Sequence, residues 1–166
     1  MMLKQINGFL TKPTHIAPLA VFRIVFGAVM FFSILRFMLN GWVHDLYVEP
    51  QLFFPYYGFE WIIPFSEPLM YVVFGGMAIS FLFLTLGLFY RVASIFSFVA
   101  FTYVELIDKT NYLNHYYFVS IICFLLIFLP AHRFFSLDVK RKPQLERTHV
   151  PRYFIFIFQL QLAIVY

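Results

Sequence analysis

The sequence predicts an all-α protein, a polytopic transmembrane helix bundle of about five spans. Of its 166 residues, 62% are hydrophobic and only 12% are charged, against about 25% charged residues in a typical soluble domain. The hydrophobic residues are also concentrated in runs near the length of about 20 residues that a bilayer requires. Since a water-soluble globule could not cover so much apolar surface, the composition indicates a membrane protein.

The spans follow from the positions of these apolar runs. They are predicted at Pro18–Met38, Leu69–Phe89, Val92–Ile107, about Tyr112–Pro130, and from Tyr153 onward. Pro18 suits the opening turn of the first helix. Arg23 and Arg36 lie near the ends of this helix, where we expect their long side chains to extend to the membrane interface.

The last run is still apolar at Tyr166, after about 14 residues, which is too short to cross a bilayer. We therefore interpret residues 1–166 as one transmembrane domain that is incomplete at its C-terminus, with the fifth helix truncated. The single cysteine, Cys123, lies in an apolar run and is interpreted as a small hydrophobic residue.

Lys and Arg residues in the links predict the orientation. The N-terminal arm, the link at Arg91 and residues 131–152 share one side and carry nine of them, whereas the other side carries only Lys109. By the positive-inside rule the N-terminus is cytoplasmic. This clustering in links, rather than on one face, excludes a nucleic-acid partner and favours membrane lipid. Residues 39–68 are expected to form an aromatic, acidic cap at the opposite interface.

The most polar short stretch is DKTNYLNHYYF, residues 108–118, on the predicted non-cytoplasmic side. Lys109 could act as a base if it were desolvated. The favoured interpretation is an anchor paired with Asp108 or with Glu105, which lies one helical turn earlier.

His115 and Asn114 are the candidate site residues. A histidine at the mouth of a span can donate a hydrogen bond or hold a developing oxyanion, and Asn114 can supply a second donor. The alternative is an interfacial residue that caps the fourth helix. None of the histidines has the spacing of a metal-ligand set, so no metal is expected.

Several segments, taken in order along the chain, resemble the vitamin K-dependent γ-glutamyl carboxylases, within the wider class of horizontally transferred transmembrane domains. They are Ala20-Val21-Phe22-Arg23, Phe26-Gly27, Leu86-Gly87-Leu88 with Tyr90-Arg91, Asp108-Lys109-Thr110 with Asn114-His115, Ser136 and Asp138 in AHRFFSLD, His149-Val150-Pro151, and the final AIVY.

The resemblance implies a lyase that is also an epoxidase. The family deprotonates reduced vitamin K (the hydroquinone), which reacts with oxygen. The resulting base removes a glutamate γ-proton, carbon dioxide adds to the carbanion, and the quinone leaves as its epoxide. By resemblance His115 is catalytic, Asn114 binds the substrate, and Asp108, Lys109 and Thr110 support the site. The implied partner is a glutamate-containing protein or peptide on the non-cytoplasmic side, the ER lumen in a eukaryote or the periplasm in a bacterium.

Two departures from the family pattern matter. Leu113 stands where the family often has a first asparagine. The family's base lysine lies in a segment that would begin after Tyr166, so this polypeptide alone is expected to be inactive, and Lys109 is not that base. Two other functions stay open: a membrane domain that oxidises or binds a quinol-like lipid without carboxylation, and a non-catalytic membrane scaffold.

Overall fold

A computed structural model describes residues 8–111 and 113–165, except for the side chain of Asn114. The chain is mostly helical, which confirms the all-α prediction. The helices are α1 (Ala17–Leu39), α2 (Trp42–Tyr47), α3 (Glu67–Leu86), α4 (Tyr90–Ile107), α5 (Asn114–Phe128), α6 (Leu137–Arg141) and α7 (Tyr153–Val165). Two short strands, β1 (Pro13–His15) and β2 (His149–Pro151), pair antiparallel.

Within the described residues, three helices, α1, α3 and α4, are long and apolar enough to cross a membrane. The fourth and fifth predicted spans form α5 and α7, which are apolar but have 15 and 13 residues. At a rise of about 1.5 Å per residue they are shorter than the hydrocarbon core, which is about 30 Å thick. Successive helices pack on each other, α1 on α3, α3 on α4 and α4 on α5, while α7 lies against α1 and α5.

The second span was predicted to run to Phe89, but α3 ends at Leu86. Gly87 adopts a left-handed conformation (φ 62°), and the Leu88 N–H donates to the Phe83 carbonyl at 2.9 Å. This arrangement is a Schellman motif, in which glycine ends a helix because it has no Cβ to clash. α4 begins at Tyr90, so the predicted link residues Tyr90 and Arg91 are already helical.

The links divide between two ends of the bundle. The first, which we call the sheet end, contains β1, β2, the turn at residues 87–89 and α6, and the backbone N–H of Asp138 donates to the Gly87 carbonyl at 2.9 Å. The second, the cavity end, contains residues 40–66 and 108–111, and the Lys109 N–H donates to the Phe54 carbonyl at 2.9 Å. The structure thus places the links rich in Lys and Arg at one end and the links poor in them at the other, as the count of these residues predicted.

Close approach between α1 and α3 depends on Gly27. A Cβ built on Gly27 would lie 2.6 Å from Thr85 Oγ1 and 2.8 Å from Thr85 N. Small residues at such crossings let two helix backbones approach in a membrane, where packing rather than burial from water drives association.

Candidate functional site at the cavity end

The last turns of α1 and α4, the first turn of α5 and part of α2 line a common space at the cavity end. Between these helices and α3 lies a cavity of about 720 Å³, which we call the main cavity. Small-molecule sites commonly measure about 300–1,000 Å³ and combine an apolar lining with a few polar groups. The lining fits this pattern and consists of Ala28, Val29, Met30, Phe32, Ser33, Ile34, Arg36, Phe37, Trp42, Tyr47, Phe74, Met77, Phe101, Val104, Glu105, His115, Tyr116 and Val119.

The lining of the main cavity includes one side chain each of arginine, glutamate and histidine, namely Arg36, Glu105 and His115. Arg36 and His115 are exposed, and the Arg36 guanidinium lies 5.5 Å from the centroid of the Trp42 ring. This places both residues at the rim of the cavity. Glu105 is only partly exposed and belongs to the wall formed by α4.

Two phenols also face this space. The ring of Tyr47, on α2, is buried with 7% exposure. Burial raises the pKa of Tyr47, and the negative charges of Glu105 and Asp108 raise it further, so Tyr47 stays protonated and able to donate. Tyr116 follows His115 on α5, and the two rings meet edge to face at 4.5 Å.

The structure separates the predicted site residues. His115 lines the main cavity, as its candidate role requires. Asp108, Lys109 and Thr110 do not belong to that lining, and the predicted role of Asn114 falls on a side chain outside the described residues.

The Asp108–Thr110 segment is instead a local turn. Asp108 Oδ1 accepts hydrogen bonds from the Thr110 N–H (2.9 Å) and from Thr110 Oγ1 (2.8 Å), which caps a single 3-10 turn at Lys109–Asn111. The expected pairing of Lys109 with Asp108 or Glu105 is wrong, since no ion pair of the described part of the chain includes Lys109. The Lys109 side chain is exposed to solvent.

Arg23 differs from the expectation more sharply. It does not extend to the interface but is fully buried. Its Nη1 donates to the carbonyls of Leu84 (2.8 Å) and Thr85 (3.2 Å), and its Nη2 donates to that of Phe135 (2.5 Å). The last carbonyls of a helix have no intrahelical donors. Arg23 therefore satisfies carbonyls at the C-terminus of α3 and joins this end of α3 to residue 135.

Asp138 completes this connection at the sheet end. Its carboxylate accepts from the backbone N–H groups of Phe89 and Tyr90, each at 3.0 Å, at the start of α4. Negative charge at a helix N-terminus is favourable. The Tyr90 ring stacks on His132 at 4.7 Å. Burial and, after it, the positive charge of Arg91 lower the pKa of His132 to about 4, so His132 is neutral at pH 7.

The sequence matches a known protein family. A family model described as the HTTM domain matches residues 11–166, nearly the whole chain. The chain belongs to the HTTM domain family. HTTM domains occur in the membrane portion of vitamin K-dependent carboxylases, so the family agrees with the resemblance at its coarser level. Among the solved structures, no match to the chain was found.

Sequence reasoning missed Arg36, Glu105 and the two tyrosines as constituents of this HTTM cavity. One signal was available, since Arg36 lies near the end of the first predicted span and Glu105 near the end of the third. Odd-numbered spans that run in the same direction end on the same side of the membrane. Their shared end therefore could be predicted from the sequence, whereas their meeting at one cavity depends on packing.

Proposed function

We propose that the main cavity of this HTTM domain binds the ring of reduced vitamin K or a closely related hydroquinone. In the full-length protein we propose that it serves the carboxylation of glutamate to γ-carboxyglutamate with epoxidation of the hydroquinone. The observation that carries the proposal is that His115, the residue singled out by resemblance, lines a large apolar cavity containing few polar groups.

The residues of the cavity fit such a ligand. Phe37, Phe74 and Phe101 provide apolar and aromatic surface for a fused ring. His115 and Arg36 provide donors at the rim, and Glu105 provides an acceptor on the wall. An isoprenoid tail would lie between helices in lipid. When bound, reduced vitamin K would supply, together with oxygen, the strong base that the vitamin K-dependent carboxylases use on glutamate.

His115 has the central role in this proposal. From the rim it donates a hydrogen bond to a ring oxygen and stabilises negative charge that develops there. Asn114, directly before it in the chain, supplies the second donor by resemblance. Neither role requires a metal ion.

We also propose an orientation. The sheet end, with its basic links, faces the cytoplasm, and the cavity end faces the ER lumen or the periplasm, because positively charged links are retained inside. The glutamate-containing substrate then reaches the cavity from the non-cytoplasmic side. Labelling of single cysteines placed at Asp45 and at Lys140 with a membrane-impermeant reagent tests this. Labelling of position 140 alone in intact cells would overturn it.

The activity test uses the full-length protein in lipid nanodiscs with reduced vitamin K, oxygen, a glutamyl peptide and labelled carbon dioxide. We expect both epoxide and labelled peptide. Epoxide without label would support the alternative of quinol oxidation without carboxylation, and the absence of both products would leave a non-catalytic membrane scaffold.

The variant His115→Ala should reduce epoxide formation about 100-fold, as loss of one donor to a developing oxyanion does. His44→Ala is the matched control, because His44 lies at the same end but pairs with Glu67 at 3.0 Å outside the cavity lining. Equal epoxide formation by the two variants would refute the role of His115.

A further inference from the structure

Glu105 is an acid in the wall of the cavity that we propose as the ligand site. It lies in the last turn of a span, and its side chain lines both the main cavity and a neighbouring cavity of about 380 Å³ between α4 and α5. In the region that the structure describes, no hydrogen bond or ion pair satisfies its carboxylate. An acidic residue within a membrane span is costly and usually has a partner.

The nearest candidate for that partner does not fill the role. Arg36 lines the same cavity, yet its guanidinium lies over the Trp42 ring and forms no ion pair with Glu105. Both residues nevertheless line the same cavity as Tyr116, so they face a common space. The Glu105 carboxylate is therefore available to accept a hydrogen bond from a donor on the ligand.

Other acids do not compete for this position. Asp108 is occupied by Thr110, as described above, and Glu67 pairs with His44. Of the described acidic residues, Glu105 alone belongs to the main-cavity lining.

We propose that Glu105 selects the redox state of the ligand, by accepting a hydrogen bond from a ring hydroxyl of the hydroquinone and repelling the carbonyl oxygens of the oxidised form. This inference rests on the proposed function, since it assigns a specificity-determining residue to the same cavity. In its ionised form Glu105 has only acceptor sites, so it stabilises a hydroxyl and disfavours a carbonyl. The same repulsion favours release of the oxidised product.

The size of the effect follows from the hydrogen bond. Sites built to bond a substrate hydroxyl discriminate strongly against analogues without one, because their buried polar group is left unpaired. We expect the wild-type protein to bind hydroquinone at least about tenfold more tightly than quinone, which corresponds to one bond to a charged acceptor.

The experiment measures binding rather than turnover. The full-length protein in nanodiscs is titrated under anaerobic conditions at mildly alkaline pH, so that Glu105 is ionised. The ligands are menadiol, menadione, and the redox-stable pair 1-naphthol and 1-methoxynaphthalene. The wild type should prefer menadiol to menadione and the naphthol to its methyl ether. Glu105→Gln, whose amide both donates and accepts, should bring each ratio close to one.

Two further variants make the result specific. Glu105→Asp keeps the carboxylate and should restore part of the preference, which a purely structural role would not predict. Glu49→Gln removes an exposed acid on the same end of the bundle and should change neither ratio. Size-exclusion profiles compare the folding of all variants.

The outcomes separate the two proposals. If none of the four compounds binds in a manner sensitive to His115→Ala, the proposed function fails together with this inference. If the compounds bind at that site and Glu105→Gln leaves both ratios unchanged, only the role of Glu105 is overturned. A wild-type preference for menadione would also overturn it, because it would mean that Glu105 donates rather than accepts.

Discussion

Replacing Arg23 by methionine tests whether the sheet end depends on one buried guanidinium. Methionine keeps an unbranched apolar stem like that of arginine but lacks the guanidinium, so it removes all the hydrogen bonds to the carbonyls of Leu84, Thr85 and Phe135. The variant thus isolates the polar contribution of a fully buried side chain.

The three carbonyls are not equally affected. Leu84 keeps a donor, the Gly87 N–H at 3.1 Å, so the main cost arises at Thr85 and Phe135. A buried carbonyl left without a donor costs about 1–3 kcal/mol. Two such carbonyls cost about 4 kcal/mol. The variant also removes a buried guanidinium whose Nε has no partner, so the cost of burying that group is recovered and must be subtracted.

We therefore expect Arg23→Met to lower the free energy of unfolding by about 3 kcal/mol, which is equivalent to about 6–12 °C in Tm for a domain of this size. The assay is thermal unfolding of the detergent-solubilised protein, followed by tryptophan fluorescence. Arg23→Lys should fall between the wild type and Arg23→Met, because one ammonium cannot reach three acceptors in the geometry of a guanidinium.

Arg141→Met is the matched control. Arg141 also lies at the sheet end, but its side chain is 51% exposed and its Nη1 is 3.9 Å from Asp138. Such a pair contributes about 0–1 kcal/mol. An Arg23→Met variant as stable as Arg141→Met would refute the reasoning, since it would mean that water or a backbone shift satisfies the carbonyls.

Two other stability predictions use the same thermal assay. Gly27→Ala should cost about 1–3 kcal/mol, because the new Cβ would collide with the backbone N of Thr85. In the control variant Gly75→Ala the new Cβ meets nothing within 4 Å, so this variant should be neutral or stabilising. Equal effects of the two substitutions would contradict the close crossing of α1 and α3. For His132, the lowered pKa means that the unfolded chain binds a proton first as pH falls, so stability is retained above about pH 6.5 and declines towards pH 4, by at most about 3 kcal/mol. His132→Phe keeps the stack on Tyr90 and should flatten this part of the pH profile, and an unchanged acid dependence would show that another group is responsible.

Much of the fold was predictable because a bilayer limits what a segment can be. An apolar run long enough to cross the hydrocarbon can only form a helix there, since every backbone group must be bonded internally. Hence the runs starting near Pro18, Leu69 and Val92 correspond to α1, α3 and α4. The boundary error at Phe89 arose because apolarity does not report where the chain turns, whereas Gly87 and its left-handed conformation do.

Polar residues were harder to assign because the sequence does not specify their partners. Lys109 and Asp108 were expected to pair as neighbours, but the nearest donor to the Asp108 carboxylate is Thr110. Arg23 was expected at the interface, yet the turn after α3 and the chain at Phe135 surround it with carbonyls. Those acceptors lie 61 or more positions away in sequence, and no local pattern encodes such contacts.

The sequence alone determined the membrane class, the helical runs, the division of the links between two ends and the position of His115 at one of them, because hydrophobic length and charge act locally along the chain. Only the tertiary structure decided that Arg36, Glu105 and His115 line one cavity. Those residues come from three different helices, and which of their faces meet depends on how close α1 can approach α3 at Gly27, how α3 turns at Gly87, and where α2 closes over the end. A cavity is the space that packing leaves unfilled, so it depends on all the helices together and cannot be derived from any one of them.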